Sequence, residues 1–457
     1  MGPLAGLSRP RDPGPAGRSA ALLPTAARAS EPDRDSPEEN NNAMETSALA
    51  LSTAPLWTLE GLRGADPVLG IALLIIIAVV TGEAVRRWTR LPRTCGHMLV
   101  GVIASPLALR LLERTDLDPW KPLLDLAVGV LVFELGARIR PRWLFDNPTL
   151  ALQCIAESVL AAAAVTAGLV MLGAPAMSAA LVGAVAMATS PVITMAAVHE
   201  TQPRGQVTER LLMMTALNSV LAVLALKIWR VIATADAPLS SEWLPALANA
   251  VYVLCGSFLL GALLGLLLTW MSRPMRRTMA SAVLQIGLLV LGALLATQWT
   301  LSPLLALLVA GVVARARMGH GLTIEPQLGT AGAALTVLLF VSLGLVSSVE
   351  SFWSLWPWVL AIVVARALGK GLAVAALARP SGLSLKQSLA LTVALQPMAQ
   401  SALLLGAATY GWPADAPIVD AAVLQALVIA VTLMQLSGPV WSVLGLRHLA
   451  REVPERS

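Results

Sequence analysis

Residues 178–198, SAALVGAVAMATSPVITMAAV, and residues 211–229, LLMMTALNSVLAVLALKIW, decide the fold of this chain. Each segment is apolar and has about the 20 residues that a bilayer crossing needs. Thr189-Ser190-Pro191 interrupts the first segment near its middle, and Asn218-Ser219 lies at a similar depth in the second. A proline frees backbone polar groups, which are costly in hydrocarbon unless they line a protein-enclosed cavity. The two segments therefore predict a midplane binding site for a species that crosses a membrane.

The composition is that of a membrane protein with many spans. Of the 457 residues, 56% are hydrophobic and 13% are charged, whereas a soluble domain has about 25% charged residues. Basic residues lie mostly in short loops between apolar segments, so the net charge of +5 indicates membrane topology and does not predict nucleic-acid binding. The cysteines and histidines show no metal-ligand spacing, and no cofactor is predicted. Nothing resembles a nucleophile–base cluster, so an enzyme is not expected.

Residues 1–65 differ from the rest of the chain because they are rich in Pro, Arg, Ala, Asp, Glu and Asn. Such a segment cannot bury a core and is predicted to be disordered. A second interpretation is that translation begins at Met44, with the upstream residues a misassigned start. The sequence then predicts a transmembrane domain over 66–449 and a short cytoplasmic tail over 450–457.

Apolar segments follow one another closely from Pro67 onward. About thirteen spans are predicted, at 67–86, 94–112, 122–138, 149–172, 178–198, 209–234, 245–271, 278–297, 301–317, 327–348, 355–377, 384–409 and 417–444. Lys and Arg follow the odd-numbered spans, with Arg204 and Arg210 counted after span five, and are absent from the loops after spans four, eight, ten and twelve. The positive-inside rule then predicts an outside N-terminus and a cytoplasmic C-terminus, in a bacterial inner membrane.

A second interrupted span lies at 384–409, where Gln396-Pro397 falls near the centre. It is span twelve, seven after the interrupted span five, and an odd offset gives the two spans opposite orientations. Proline is common in membrane helices, so two ordinary kinks are the alternative. The matched pair favours an inverted repeat with its site where two discontinuous helices cross.

Seven stretches together resemble the monovalent cation:proton antiporter superfamily, closest to its second branch with the sodium/hydrogen exchanger-like domain. The stretches are LPRTCGHMLVGVIASP (91–106), LAVGVLVFELGARIRPRWL (126–144), ATSPV (188–192), LLALLVAGVVARA (304–316), LLFVSLGLVSS (338–348), RALGKGLA (366–373) and LQPMAQSALL (395–404). The resemblance implies an all-α polytopic fold with an inverted repeat and two crossed discontinuous helices. It also implies a homodimer in a lipid bilayer that exchanges Na⁺ or K⁺ for H⁺ by alternating access.

The same resemblance implies where the site residues lie, and three expected carboxylates are missing. Asn218 matches the first member of the family's Asn-Asp pair, and Ser219 stands in place of the aspartate. Ser190, after Thr189, stands where many relatives have the aspartate of Thr-Asp-Pro. Gln400 replaces the glutamate of the family's Pro-Arg-Gly-Glu sequence. Hydroxyls and amides coordinate a cation but do not carry a proton near neutral pH.

Lys370 matches the family's intramembrane lysine, and such a group costs about 2.5–3.5 kcal/mol to insert, so it should have a partner or a role. Asn218 and Ser219 are the predicted acceptors of its hydrogen bonds. Because both are neutral, they would not neutralise the lysine, which could itself be the titrating group. Snorkelling of Lys370 to the membrane edge is the alternative. Glu157, in ALQCIAESVLAAAAV, is the best candidate for a substitute proton carrier, and Glu134 is interpreted as a structural hydrogen-bonding group.

Three functions stay open from the sequence. The first is antiport of a monovalent cation and protons, with Asn218, Ser219, Thr189, Ser190 and Gln400 lining the site, Pro191 and Pro397 breaking the helices, and Lys370 setting its charge. The second is transport of an anionic solute by Lys370, which half-helix N-termini would also favour. The third is a transport-inactive sensor or interaction protein on the same scaffold.

Overall fold

The computed structural model describes residues 67–112, 115–235, 243–273, 279–318, 326–347, 352–398 and 419–452. Over these ranges the chain is all-α, with fifteen α-helices and no strand, so the predicted fold class is confirmed. The helices are α1 Pro67–Thr89, α2 Arg93–Ala104, α3 Lys121–Arg138, α4 Pro141–Asp146, α5 Pro148–Met171, α6 Ala176–Ala186, α7 Pro191–Thr201, α8 Gln206–Ala235, α9 Trp243–Ser272, α10 Met279–Gln298, α11 Pro303–Met318, α12 Pro326–Leu345, α13 Phe352–Ala376, α14 Leu385–Ala394 and α15 Ala421–Val443.

Each of the thirteen predicted spans overlaps at least one of these helices; span five overlaps both α6 and α7, and α4 lies between two spans. Within the described ranges, seven helices are long and apolar enough to cross a membrane by themselves. The exact number of crossings therefore stays a prediction. The predicted disorder at 1–65, the alternative start at Met44 and the predicted tail beyond residue 452 fall on residues that the structure does not describe.

Local sequence explains several helix boundaries. Ser384 and Gln387 form a capping box at the start of α14, in which each side chain binds the backbone N–H of the other residue. The carboxylate of Asp420 accepts the backbone N–H groups of Ala422 and Val423 at the start of α15, at 2.8 and 3.1 Å. These caps satisfy N–H groups that the first turn of a helix leaves without partners.

The predicted second span, 94–112, is wrong at its C-terminal end. α2 stops at Ala104, and Ser105 adopts an extended conformation with φ −69° and ψ 167°. The physical reason is Pro106, whose ring excludes the helical conformation from the residue before it. The prediction extends the span to residue 112 because it rests on hydropathy alone.

The helices pack as two bundles. The first bundle contains α1, α2, α3, α9, α10, α11 and α12, and the second contains α5, α6, α7, α8, α13, α14 and α15. Contacts of α8 with α9, of α7 with α3 and of α15 with α2 join the two bundles. Both interrupted segments belong to the second bundle, so this bundle contains the candidate site.

Two glycine crossings in the first bundle are related by the predicted inverted repeat. Gly101 of α2 lies against Gly344 of α12, and Gly136 of α3 lies against Gly311 of α11, so close that a Cβ atom would clash with backbone atoms of the facing helix. The flanking sequences also match, as VGVIA at 100–104 with AGVVA at 310–314, and LVFELG at 131–136 with LFVSLG at 339–344. Small residues allow such close helix packing in membranes.

We expect Gly136→Leu to destabilise the first bundle. The added side chain would meet the backbone oxygen of Leu308, and a backbone cannot give way as a flexible side chain does, so the cost should exceed the roughly 1–3 kcal/mol of ordinary overpacking. The measurement is the thermal unfolding midpoint in detergent micelles. Gly287→Leu is the control because a Cβ there meets nothing within 4 Å. Equal midpoints for the two variants would contradict the proposed crossing.

Candidate functional site

The predicted break in span five is present. α6 ends at Ala186 and α7 begins at Pro191, with 187–190 between them not helical. Pro191 occupies the first turn of α7, where its missing N–H costs no hydrogen bond. At the second predicted break α14 ends at Ala394 and residues 395–398 are likewise not helical, while the rest of the predicted span lies outside the described residues.

The two breaks cross each other through backbone contacts. Thr189 and Met398 form an isolated antiparallel β-bridge. The backbone N–H of Ser190 donates to the carbonyl oxygen of Pro397 at 3.0 Å, and the Thr189 hydroxyl donates to the carbonyl oxygen of Leu395 at 3.3 Å. Each break therefore satisfies polar groups that the other exposes, as the membrane interior requires.

An ion pair between Lys370 of α13 and Glu157 of α5 lies beside this crossing. The Nζ of Lys370 donates to the Oε1 of Glu157, and both side chains are completely buried. The close approach of the two helices depends on Gly369, where a Cβ atom would lie 2.7 Å from the carbonyl oxygen of Leu160. Because Lys370 is fully buried, the alternative of snorkelling to the membrane edge is wrong.

Three neutral side chains complete a polar cluster around the ion pair. The amide nitrogen of Asn218 donates to Oε1 of Glu157 at 3.3 Å and to the hydroxyl of Thr189 at 3.2 Å. The hydroxyl of Ser158 donates to the amide oxygen of Asn218 at 2.6 Å. Lys370 also donates to the hydroxyl of Thr189 at 3.3 Å. We call Glu157, Ser158, Thr189, Asn218 and Lys370 the exchange cluster.

The structure changes the predicted partner of Lys370. The predicted acceptors were Asn218 and Ser219, but the lysine binds a carboxylate, that of Glu157. Ser219 donates instead to the carbonyl oxygen of Thr215 in its own helix, at 3.0 Å. A serine hydroxyl is short and readily bonds to the preceding turn of a helix, so the Ser219 side chain binds its own helix and not the lysine.

The remaining predicted site residues have other structural roles or lie outside the described residues. The hydroxyl of Ser190 accepts the backbone N–H of Ile193 at 3.3 Å and caps α7, so its side chain acts as a helix cap. Pro397 contributes its carbonyl oxygen to the crossing. Gln400 lies outside the described residues. Ser158 was missed by the sequence analysis, although its position beside Glu157 was a usable signal.

Several charged residues outside the cluster have structural partners. Glu83 binds Arg86 and Arg87 at 2.6 and 3.0 Å, while Glu134 binds Arg138 at 2.7 Å and His199 at 2.6 Å. Arg210, which the charge count places in a loop, is buried in α8 and donates to the side-chain oxygen of Gln153 at 3.2 Å. Arg210 is therefore not an exposed loop charge, and it does not indicate which side of the membrane the loop after span five faces.

Comparison with known proteins places this architecture among membrane transporters. Residues 71–443 match the family model for "Sodium/hydrogen exchanger, transmembrane". The structure of the sodium proton antiporter MjNhaP1 from Methanocaldococcus jannaschii at pH 8 is similar, with a TM-score of 0.62, 18% identity and coverage of 84% of this chain and 98% of that chain. An electron-microscopy map of the same antiporter gives a TM-score of 0.64 at 17% identity, covering 85% and 99%. A search of curated proteins gives no match.

We expect the Glu157–Lys370 pair to behave as one unit in stability. Removing one partner of a buried ion pair leaves the other charge unpaired and costs about 3–5 kcal/mol, whereas replacing both with apolar residues is often close to neutral. Glu157→Leu and Lys370→Met should each lower the thermal unfolding midpoint, and the double variant should recover most of the loss. Additive losses in the double variant would show that the two side chains do not pair.

Proposed function

Because the chain belongs to the sodium/hydrogen exchanger family, within the monovalent cation:proton antiporter superfamily, we propose that it exchanges a monovalent cation, Na⁺ or K⁺, for protons across a membrane. It is an integral membrane protein of a family of transporters and not of enzymes. Membership in the second branch of the superfamily, the homodimer, the bacterial inner membrane and the orientation of the termini stay predictions.

The observation that carries this proposal is the fully buried Glu157–Lys370 pair at the crossing of the two breaks. An ionisable pair inside a membrane bundle is expensive and marks an ion or proton path. Antiport requires a group that binds the cation and a titratable group whose proton the cation displaces, and the Glu157 carboxylate and the Lys370 ammonium group meet these two requirements. Among the described residues of the cluster, Glu157 is the one carboxylate.

Exchange at the cluster follows from the charges of the two side chains. With no cation bound, protonated Lys370 neutralises the Glu157 carboxylate. A cation entering from water takes the place of the ammonium group, with oxygens of Glu157, Asn218 and Thr189 as its ligands, and Lys370 releases one proton. Reprotonation of Lys370 on the other side of the membrane expels the cation. The net charge of the cluster is the same in both states.

Alternating access then requires the cluster to face one side of the membrane at a time. The cluster belongs to the second bundle, and the first bundle contacts this bundle mainly through α8 with α9, α7 with α3 and α15 with α2. Movement of the second bundle against the first would carry the crossing and its ion pair together. This arrangement agrees with a site at the interface of inverted repeats.

Attraction of an anionic solute to Lys370 requires that no carboxylate lies beside the lysine. Since Glu157 binds Lys370, the pair has no net charge to attract an anion. Anion transport and a transport-inactive role are therefore the alternatives that the transport assay tests.

We expect cation-dependent proton movement in proteoliposomes that contain the purified protein. With a pH-sensitive dye inside and an imposed pH gradient, addition of Na⁺, K⁺ or Li⁺ should dissipate the gradient. Glu157→Gln and Lys370→Ala should each abolish the response, because Glu157 binds the cation and Lys370 carries the proton that is exchanged for it. Glu83→Gln is the control, since Glu83 lies in an exposed ion pair away from the cluster.

Absence of a response to all three cations would overturn antiport. Anions tested in the same vesicles would then separate anion transport from a transport-inactive role. A wild-type response that survives in both Glu157→Gln and Lys370→Ala would keep antiport but reject the exchange cluster as its site.

Charge balance at the cluster predicts exchange of one cation for one proton. A voltage-sensitive dye in the same proteoliposomes should therefore report no membrane potential during exchange, in the absence of any ionophore. A potential that develops with cation addition and disappears in Glu157→Gln would show that a second proton moves in each cycle.

A further inference from the structure

Arg366 is completely buried in α13, one helical turn before Lys370, and the proposed exchange does not use it. Its guanidinium group donates to four backbone carbonyl oxygens. The acceptors are Ala186 at 2.9 Å, Ala188 at 2.9 Å, Leu395 at 3.4 Å and Gln396 at 2.6 Å. Two of these oxygens belong to the first helix break and two to the second. Within the described residues, none of its hydrogen bonds is to a carboxylate.

These four carbonyl groups lie where two helix ends meet. α6 ends at Ala186 and α14 ends at Ala394, and the last carbonyl groups of a helix have no partner within it. The C-terminal end of a helix also has a partial negative charge, so the two ends together attract a cation. A planar guanidinium group with five N–H donors fits several oxygens at once.

The same oxygens would suit a metal cation. In transporters with discontinuous helices, unwound backbone carbonyl groups and C-terminal helix ends coordinate Na⁺. Here Arg366 occupies four such oxygens, and Lys370 binds a fifth, that of Met187, at 3.2 Å. Arginine stays protonated throughout the pH range of proteins, whereas a lysine is able to release its proton to an incoming cation.

We propose that Arg366 is a positioning residue that permanently fills the carbonyl cage of the two helix breaks, so that the transported cation binds only at the exchange cluster. The cage is defined by the carbonyl oxygens of Ala186, Ala188, Leu395 and Gln396. A cation bound in an open cage would displace no proton, because no titrating group binds there. Arg366 therefore keeps cation binding coupled to proton release. The role of Arg366 in coupling rests on the proposed antiport, but cation binding in the cage can be tested without a transport assay.

The test measures cation binding and proton release on the purified protein in detergent, using Na⁺, K⁺ or Li⁺ as the probe. Calorimetry in buffers of different ionisation enthalpy gives both the number of cations bound and the number of protons released. In the wild-type protein we expect about one proton for each cation, by linkage at Lys370. Arg366→Met should bind a second cation in the open cage, so the ratio of protons to cations should fall by about half.

Arg366→Lys and Arg210→Met complete the set of variants. Arg366→Lys keeps a positive charge at the cage and should restore a ratio close to that of the wild-type protein. Arg210→Met removes another buried arginine that contacts neither helix break, so it should leave the ratio unchanged. If Arg366→Met cannot be purified, Arg366→Gln takes its place with the same expectation, because it also removes the charge.

A merely structural role for Arg366 predicts a different result. Less folded protein would be recovered, but the folded fraction would bind one cation and release one proton, and this outcome overturns the proposal. Failure of the proposed antiport is distinguishable, since the wild-type protein would then bind no cation. In that case the cage still predicts that Na⁺, K⁺ or Li⁺ raises the thermal unfolding midpoint of Arg366→Met and not that of the wild-type protein. No rise in the variant would reject the cage.

Discussion

The site depends on one constraint, that backbone carbonyl groups freed by two helix breaks must be satisfied away from water. Arg366 and Lys370 meet this constraint from one face of α13, where a spacing of four residues places both side chains at the crossing. Fully buried cations are themselves costly. Carbonyl oxygens at helix C-termini and a nearby carboxylate offset that cost, so the breaks and the two cations stabilise each other.

Glu157 connects this structural requirement to chemistry. It lies on α5 and binds the lysine across the contact that Gly369 permits, while Asn218 reaches the same carboxylate from α8. The crossing therefore has an acidic side chain beside it although residue 219 is a serine, because Glu157 supplies the carboxylate from α5.

The first bundle gives a second example of a constraint shared by two distant segments. The Gly101–Gly344 and Gly136–Gly311 crossings occur in matching sequence contexts. This is expected if an inverted repeat forms the same close helix contact twice. Backbone contact at these crossings leaves little room for adjustment.

Hydropathy, loop charge and two proline-interrupted spans determined the all-α membrane fold and both helix breaks, because spans and broken helices follow from local sequence. The sequence also singled out Glu157, Asn218, Thr189 and Lys370. It did not determine that Lys370 binds Glu157 or that Ser190 and Ser219 bond within their own helices. Nor did it determine that Arg366 donates hydrogen bonds to carbonyl oxygens at both breaks. The contacts of Arg366 and Lys370 join residues 29 to 213 positions apart, and only the packing of α5, α8 and α13 decides which polar groups meet.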